Sequence, residues 1–154
     1  GRLIEMGVEP FLLASALVGV LSQRLVRLLC KECREPTEPD PELLARLRLT
    51  PQMVQGHKLY AGRGCHRCQF TGYRGRRAIV ELMEVNDTIR HHITHHQPTT
   101  VIRESAIQNG MVPLYRDALR LVLTGETSLE EVLRVVANDV DEAPESPAYS
   151  AEVA

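Results

Sequence analysis

Two C-x-x-C pairs, Cys30-Lys31-Glu32-Cys33 and Cys65-His66-Arg67-Cys68, contain all four cysteines of this 154-residue chain. A C-x-x-C turn can point two sulfurs at one metal ion, and two such turns complete a tetrahedral four-thiolate zinc site with no open position. A closed site is structural, because catalytic zinc keeps one position for water or substrate. The spacing therefore predicts a structural Zn²⁺ ion bound by Cys30, Cys33, Cys65 and Cys68.

Two other uses of the cysteines remain open at this point. Disulfide bonds are one, but no feature marks the chain as secreted, and a reducing cytosol disfavours them. Thiol redox chemistry is the other, but a redox C-x-x-C stands alone beside a βαβ pattern, which the sequence does not show. Residues 34–64 separate the two pairs by more than is common in zinc ribbons, which leaves room for two short helices.

Local patterns predict the elements around the cysteines. Apolar residues recur at spacings of three and four over residues 9–29, which predicts a helix with a proline in its first turn. Asp40-Pro41-Glu42 is typical of a helix start, and Thr50-Pro51 repeats the signal for a shorter helix. Residues 58–60 predict a short strand, and residues 76–83 predict an extended segment with alternating apolar positions.

The second half of the chain predicts helices separated by proline and glycine. Helices are expected over residues 86–96, 100–108 and 113–123, and a fourth follows a capping box formed by Thr127 and Glu130. Residues 139–154 lack periodicity and are expected to be disordered. The predicted fold class is therefore mainly α with a small β and zinc-knuckle element, an α+β arrangement.

Composition and missing motifs limit the function. Hydrophobic residues make up 44% and charged residues 25% of the chain, which is ordinary for a globular protein and argues against a wholly disordered one. The longest mostly apolar run, residues 11–21, is too short for a bilayer and lacks the flanks of a signal peptide. No phosphate-binding loop, nucleophile elbow or dinucleotide fingerprint is present, so we expect no catalytic residues in this chain.

A basic block supports an alternative function. The formal net charge is −2, yet residues 58–77 contain six bases and no acid: Lys58, Arg63, Arg67, Arg74, Arg76 and Arg77. Such a block can attract phosphates, so a free-standing zinc-knuckle module that binds nucleic acid is the alternative. Only Tyr60, Phe70 and Tyr73 could stack on bases there, and the later part of the chain is acidic. Nucleic acid is therefore not an expected partner.

Four histidines form a second candidate cluster. His91/His95 and His92/His96 have the i,i+4 spacing of zinc ligands on a helix. The zincin pattern also needs a glutamate after the first histidine, and none is present. We interpret these residues as surface histidines.

Several stretches together resemble one family, the secretion ATPases of the general secretory pathway and of type IV pilus assembly. The resemblance covers residues 1 to about 138. It rests on the stretches Arg2-Leu-Ile-Glu-Met-Gly-Val-Glu-Pro-Phe11, Gln23-Arg-Leu-Val-Arg-Leu-Leu-Cys30, Gly64-Cys65 with Cys68, Thr71-Gly-Tyr-Arg-Gly-Arg76, Glu81-Leu82 and Ser128-Leu-Glu-Glu-Val-Leu-Arg134.

The resemblance implies a division of the chain. Members of this family are hexameric cytoplasmic motors with a RecA-like ATPase core, whose ATP- and Mg²⁺-binding boxes would all lie upstream of this chain. Residues 1–29 would end that core as a helical remnant, residues 30–69 would form the tetracysteine zinc-binding subdomain, and residues 70–138 would form a helical C-terminal subdomain. Residues 139–154 match nothing in the family.

The resemblance also implies partners. They are the parent ATPase core, neighbouring subunits of a hexamer, and platform proteins of the inner membrane, so the location would be cytoplasmic and peripheral at that membrane. In such a ring, Arg74 and Arg76 beside the zinc knuckle would lie near a nucleotide or a neighbouring subunit.

Overall fold

The computed structural model describes residues 2–141, which form a mixture of helices and strands. The helices are α1 (Arg2–Glu5), α2 (Pro10–Ala16), α3 (Pro41–Arg46), α4 (Pro51–Val54), α5 (Asp87–Thr94), α6 (Thr99–Gln108), α7 (Leu114–Leu123) and α8 (Leu129–Asp141). The strands are β1 (Gly19–Leu29), β2 (Arg34–Thr37), β3 (Leu59–Gly62) and β4 (Tyr73–Glu84). Strand β1 pairs with β4, and β2 pairs with β3, so the described part contains two two-stranded sheets.

The chain divides into two compact units. Of the described residues, 2–22 and 80–113 form the first unit, and 23–79 and 114–141 form the second. In the first unit, α5 packs against α2 and α6. Its buried apolar core consists of Ala14, Val85, Ile89, Ile93, Ala106 and Met111. The predicted helices 86–96 and 100–108 are confirmed by α5 and α6, and the Asn86 side chain caps α5 by accepting a hydrogen bond from the Ile89 N–H at 3.0 Å.

The second unit contains the larger core. Helix α8 packs against α7 and α3, while β2 and β3 form an antiparallel pair. Its buried apolar side chains come from both halves of the chain and include Val26, Leu47, Ile79, Leu121 and Val132. The helix start at Asp40 is confirmed, since its side chain accepts a hydrogen bond from the Glu42 N–H at 2.9 Å. The strand at 58–60 and the helix at 113–123 are confirmed by β3 and α7.

The prediction of one helix over residues 9–29 is wrong. Helix α2 ends at Ala16, and residues 19–29 form the long strand β1. The apolar spacing that predicts a helix is also compatible with a strand in which few positions are buried. Strand β1 forms because it pairs with β4, which lies about fifty residues later in the sequence. At Gly19 of β1, an added Cβ would lie 3.3 Å from the carbonyl oxygen of Met83 in β4, so the two strands approach closely there. The chain is therefore a mixed α and β protein with more strand than we expected.

The start of α8 also differs from the prediction. Ser128, not Thr127, caps the helix, because its Oγ accepts a hydrogen bond from the Glu131 N–H at 3.3 Å. The Thr127 hydroxyl instead donates to the Arg27 carbonyl oxygen at 2.8 Å. The prediction of Thr127 as the cap is therefore wrong by one residue, and the Glu131 side chain at the third helical position bonds to Arg27 and Arg134. The prediction of disorder from residue 139 is wrong for residues 139–141, which belong to α8, and the rest of that tail lies outside the described residues.

Glu131 is a fully buried carboxylate that connects β1 to α8. It accepts hydrogen bonds from the Arg27 N–H at 2.9 Å, from the Arg27 guanidinium at 2.6 and 2.9 Å, and from the Arg134 guanidinium at 2.7 and 2.8 Å. Burial alone favours the neutral acid, but the hydrogen bonds from Arg134 and Arg27 outweigh it and lower the pKa of Glu131 to about 2. The folded state therefore holds this group ionised at neutral pH.

We predict that Glu131→Gln lowers the free energy of unfolding at pH 7 by about 1–3 kcal/mol, because charge-assisted hydrogen bonds to two arginines are lost. The pKa of Glu131 is lowered in the folded state, so its contribution is complete above the ordinary value of 4.5 and disappears as the pH falls towards about 2. Urea unfolding of wild type and variant at several pH values between 7 and 3 measures this difference.

Glu130→Gln is the matched control, since Glu130 is the exposed neighbour and its replacement removes the same charge. It should leave stability nearly unchanged. A difference between wild type and Glu131→Gln that stays constant down to pH 3, or that equals the effect of Glu130→Gln, would contradict this prediction.

Candidate metal centre

The first cysteine turn begins directly after β1. Cys30 accepts hydrogen bonds at its carbonyl oxygen from the Cys33 N–H at 3.2 Å and from the Arg34 N–H at 2.9 Å, which closes the turn. Strand β2 then starts at Arg34 and runs antiparallel to β3, with Arg34 opposite Gly62. This register returns the chain to the end of the first turn, where the Arg63 N–H donates to the Cys33 carbonyl oxygen at 3.1 Å, so the second cysteine pair arrives beside the first.

The second turn is a short 3₁₀ helix over His66–Cys68. The Cys65 carbonyl oxygen accepts a hydrogen bond from the Phe70 N–H at 2.9 Å, and both Gln69 and Phe70 adopt left-handed backbone conformations. These conformations fold the chain sharply back after Cys68. Both C-x-x-C pairs therefore form tight turns of the kind that the sequence spacing predicts.

The four sulfurs lie within 4.8 Å of one another. The Cys30–Cys65 and Cys33–Cys68 pairs have sulfur separations of 3.9 and 3.8 Å, and the separation for Cys65–Cys68 is 3.8 Å. A tetrahedral ion with four sulfurs at 2.3 Å requires sulfur–sulfur distances of about 3.8 Å. All four thiols are free, and three of these cysteines are buried. The donor set and its spacing therefore fit a tetrahedral metal ion such as Zn²⁺.

Backbone donors surround one sulfur of the cluster. The Cys68 Sγ accepts hydrogen bonds from the Cys65 N–H at 3.2 Å and the Gly72 N–H at 3.3 Å. Burial favours the neutral thiol of Cys68, but these backbone hydrogen bonds outweigh it and lower its pKa. Burial raises the pKa of Cys33, which lies 3.8 Å away. The N–H groups thus stabilise thiolate at the cluster, which is the form that metals bind.

Two glycines let the chain cross itself beside the sulfurs. The backbones of Gly62 and Gly72 lie in direct contact, and a Cβ on Gly72 would be 2.6 Å from the Gly62 carbonyl oxygen. The Gly72 carbonyl oxygen accepts a hydrogen bond from the Cys30 N–H at 2.9 Å. Gly72 therefore connects both turns, since it bonds to Cys30 through its oxygen and to Cys68 through its nitrogen.

Acidic side chains neutralise part of the basic block. Three of its arginines form ion pairs, namely Arg63 with Glu35, Arg67 with Glu32 and Arg77 with Glu126. Within residues 2–141, no hydrogen bond or ion pair involves the side chains of Arg74 and Arg76. The block is therefore less positive than its sequence suggests, and two arginines next to the second turn remain available.

The histidine cluster does not converge on a common point. His91 and His95 stack with ring centroids 4.0 Å apart, and the His95 Nδ1 lies 2.8 Å from the His91 carbonyl oxygen. Among the described residues, the four cysteines are the only group of three or more potential ligands close enough to share an ion. In the same part of the chain, no helix is both long and apolar enough to cross a membrane.

Sequence reasoning missed the residues that position the first turn. Arg27 lies three residues before Cys30, and it was not singled out from the other bases of its region. Glu131 appeared only as one letter of a stretch that resembles the family. The only sequence signal was its place in Ser128-Leu-Glu-Glu-Val-Leu-Arg134, with an arginine three residues later on the same helix face.

We predict that Gly72→Ala destabilises the chain more than Gly56→Ala does. Both glycines have positive φ, at +79° and +85°, so alanine costs about 1–2 kcal/mol at either position. Only at Gly72 does the new Cβ meet backbone, which adds about 1–3 kcal/mol. Equal losses of unfolding free energy for the two zinc-loaded variants would show that the crossing does not need glycine.

Comparison with known proteins agrees with the family resemblance that the sequence motifs indicate. The family described as type II/IV secretion system protein matches residues 1–134. The chain is 54% identical over 132 residues to the type IV pilus assembly ATPase PilB of Thermus thermophilus, a match that covers 86% of this chain and 15% of PilB. It is 43% identical over 134 residues to the type II secretion system ATPase E of Vibrio cholerae, covering 87% of this chain and 26% of that protein.

A third relative is the type II secretion system protein E of Aeromonas hydrophila, which is 41% identical over 141 residues. That match covers 90% of this chain and 27% of the relative. The chain thus spans between 15% and 27% of the length of these relatives. By the extent of the family match, this chain belongs to the type II/IV secretion system protein family.

Proposed function

We propose that this chain is the non-catalytic C-terminal portion of a hexameric ATPase that powers type II protein secretion or type IV pilus assembly. The observation that carries the proposal is the family match over residues 1–134, together with relatives named as ATPases of both systems. The chain spans at most 27% of the three relatives described above, and it contains none of the phosphate-binding motifs. ATP and Mg²⁺ would therefore bind in a core outside residues 1–154.

We infer that Cys30, Cys33, Cys65 and Cys68 bind a structural Zn²⁺ ion. The four-thiol donor set and the sulfur separations of 3.8–3.9 Å support this assignment. With four protein ligands the ion has no open position, so it contributes folding free energy and no catalysis. Metal binding in such sites is worth on the order of 10–16 kcal/mol at neutral pH.

We propose the following division of labour in the parent protein. Residues 1–29 end the ATPase core, residues 30–69 form the zinc-binding subdomain, and residues 70–138 form the C-terminal subdomain. The subdomains pack against the core and neighbouring subunits, and the assembled ring acts on platform proteins of the inner membrane from the cytoplasmic side. Arg74 and Arg76 are the residues that we assign to a nucleotide or subunit contact, because their side chains have no partner among the described residues.

The alternative, a free-standing nucleic-acid-binding module, has weaker support. Its basic block contains three arginines that already pair with carboxylates. One of its three aromatic residues, Tyr60, is partly buried and lies beneath the guanidinium of Arg34 at 4.9 Å. We therefore assign the chain no nucleic-acid partner, and a steep salt-dependent affinity for DNA or RNA would reverse this assignment.

A chimera tests the proposed function. In the chimera, this chain replaces the matching 132 residues of Thermus thermophilus PilB, and the experiment measures ATP turnover and pilus assembly. We expect turnover by the chimera and none by the isolated chain. ATP hydrolysis by the isolated chain, or a folded and zinc-loaded chimera without turnover, would contradict the proposal.

We predict that the purified chain contains one zinc ion and that Cys33→Ser lowers this content to well below one. His66→Ala is the matched control, because His66 lies exposed within the second turn and is not part of the sulfur cluster. Elemental analysis together with a free-thiol titration makes the measurement. Removal of the ion with a chelator should unfold residues 30–68, which loss of amide hydrogen-exchange protection would report. Full zinc content in Cys33→Ser, or loss of zinc in His66→Ala, would disprove the ligand set.

A further inference from the structure

An arginine-lined cleft lies in the second unit, apart from the cysteine cluster. It has a volume of about 420 Å³ and is lined by Leu25, Arg27, Arg76 and Arg134. Small-molecule sites in proteins have volumes of about 300–1,000 Å³, so the cleft is large enough for a compact ligand. Three of its four lining residues are arginines, whose guanidinium groups bind anions.

The buried Glu131 carboxylate holds two of the arginines in place. Arg27 and Arg134 each direct Nε and Nη2 towards the buried Glu131 carboxylate, at distances of 2.6–2.9 Å. The Arg27 guanidinium also lies over the Tyr73 ring, 4.2 Å from its centroid. The Nη1 groups of Arg27 and Arg134 make no hydrogen bond to any described residue. Both side chains are thus fixed while retaining unused donors.

Arg76 supplies the third guanidinium from strand β4. Its side chain is exposed and makes no hydrogen bond or ion pair with the described residues, whereas the next residue, Arg77, pairs with Glu126 at 2.6 Å. Arg76 therefore has all its donors available. Its replacement removes no hydrogen bond or ion pair from the described residues.

Charge and geometry favour one ligand chemistry. The three guanidiniums and the Glu131 carboxylate behind them have a combined formal charge of +2. A phosphate monoester carries about −1.5 to −2 at neutral pH and offers three oxygens, whereas a carboxylate carries −1 and offers two. We propose that this cleft binds a phosphate group through Arg27, Arg76 and Arg134, with Glu131 positioning two of the three arginines. The proposal concerns this chain alone and does not depend on the ATPase assignment.

Calorimetric titration of the zinc-loaded chain with inorganic phosphate tests the proposal. We expect saturable binding that Arg76→Ala weakens about tenfold. Arg46→Ala is the matched control, since Arg46 is exposed on α3 of the second unit and does not line the cleft. It removes the same charge and should change the affinity less than twofold. Circular dichroism of both variants should match wild type, because neither side chain makes a hydrogen bond or ion pair with the described residues.

Three results would overturn the proposal. The first is a failure of wild type to bind phosphate at low salt. The second is equal weakening by Arg46→Ala and Arg76→Ala, which would indicate only a diffuse basic surface. The third is binding of acetate with the same affinity as phosphate, which would show that the cleft does not select phosphate.

Two further titrations distinguish the source of the phosphate. Pyrophosphate represents soluble phosphates, and vesicles of neutral lipid with one-third phosphatidic acid represent a lipid headgroup. Binding of pyrophosphate that Arg76→Ala weakens, without vesicle binding, supports the proposal with a soluble ligand. Vesicle binding that Arg76→Ala abolishes and Arg46→Ala preserves supports it with a lipid headgroup.

Discussion

The convergence of four sulfurs from two distant turns is the constraint on which the second unit depends. Thirty-one residues separate Cys33 from Cys65, yet the cluster spans no more than 4.8 Å between any two sulfurs. The β2–β3 pair and the contact between Gly62 and Gly72 bring the turns together. Without a metal ion, four thiols at such close range offer only weak S–H hydrogen bonds, so the proposed ion would supply the energy that closes this loop.

One strand connects this cluster to the rest of the second unit. The Arg27 backbone N–H and guanidinium bond to Glu131 of α8, the Leu29 N–H donates to the Glu126 carbonyl oxygen at 2.8 Å, and the Cys30 N–H donates to Gly72. The end of β1 is thus fixed on two sides within four residues. The position of the first cysteine turn follows from these bonds, and the same bonds orient the arginines of the cleft. A substitution at Glu131 should therefore affect the fold, the turn and the cleft together.

The parts of the structure that sequence reasoning predicted are those that local chemistry determines. The cysteine spacing predicts two turns, Asp40-Pro41 predicts the start of α3, and Asn86 predicts the start of α5, because each signal acts within a few residues. The sequence predicts a helix where β1 forms, because the conformation of β1 depends on pairing with β4, which no local window contains. Glu131 was missed for the same reason, since a carboxylate on a helix becomes a buried partner only when Arg27 is placed beside it.

X-ray absorption at the zinc K edge of the purified chain tests the central claim most directly, because it reports the atoms bound to the metal. The account predicts four sulfur neighbours at about 2.3 Å and no nitrogen or oxygen in the coordination sphere. A sphere containing nitrogen or oxygen at about 2.0–2.1 Å would show that the four cysteines do not form a closed site. A zinc-free chain with two disulfides would contradict the structural role of the metal altogether.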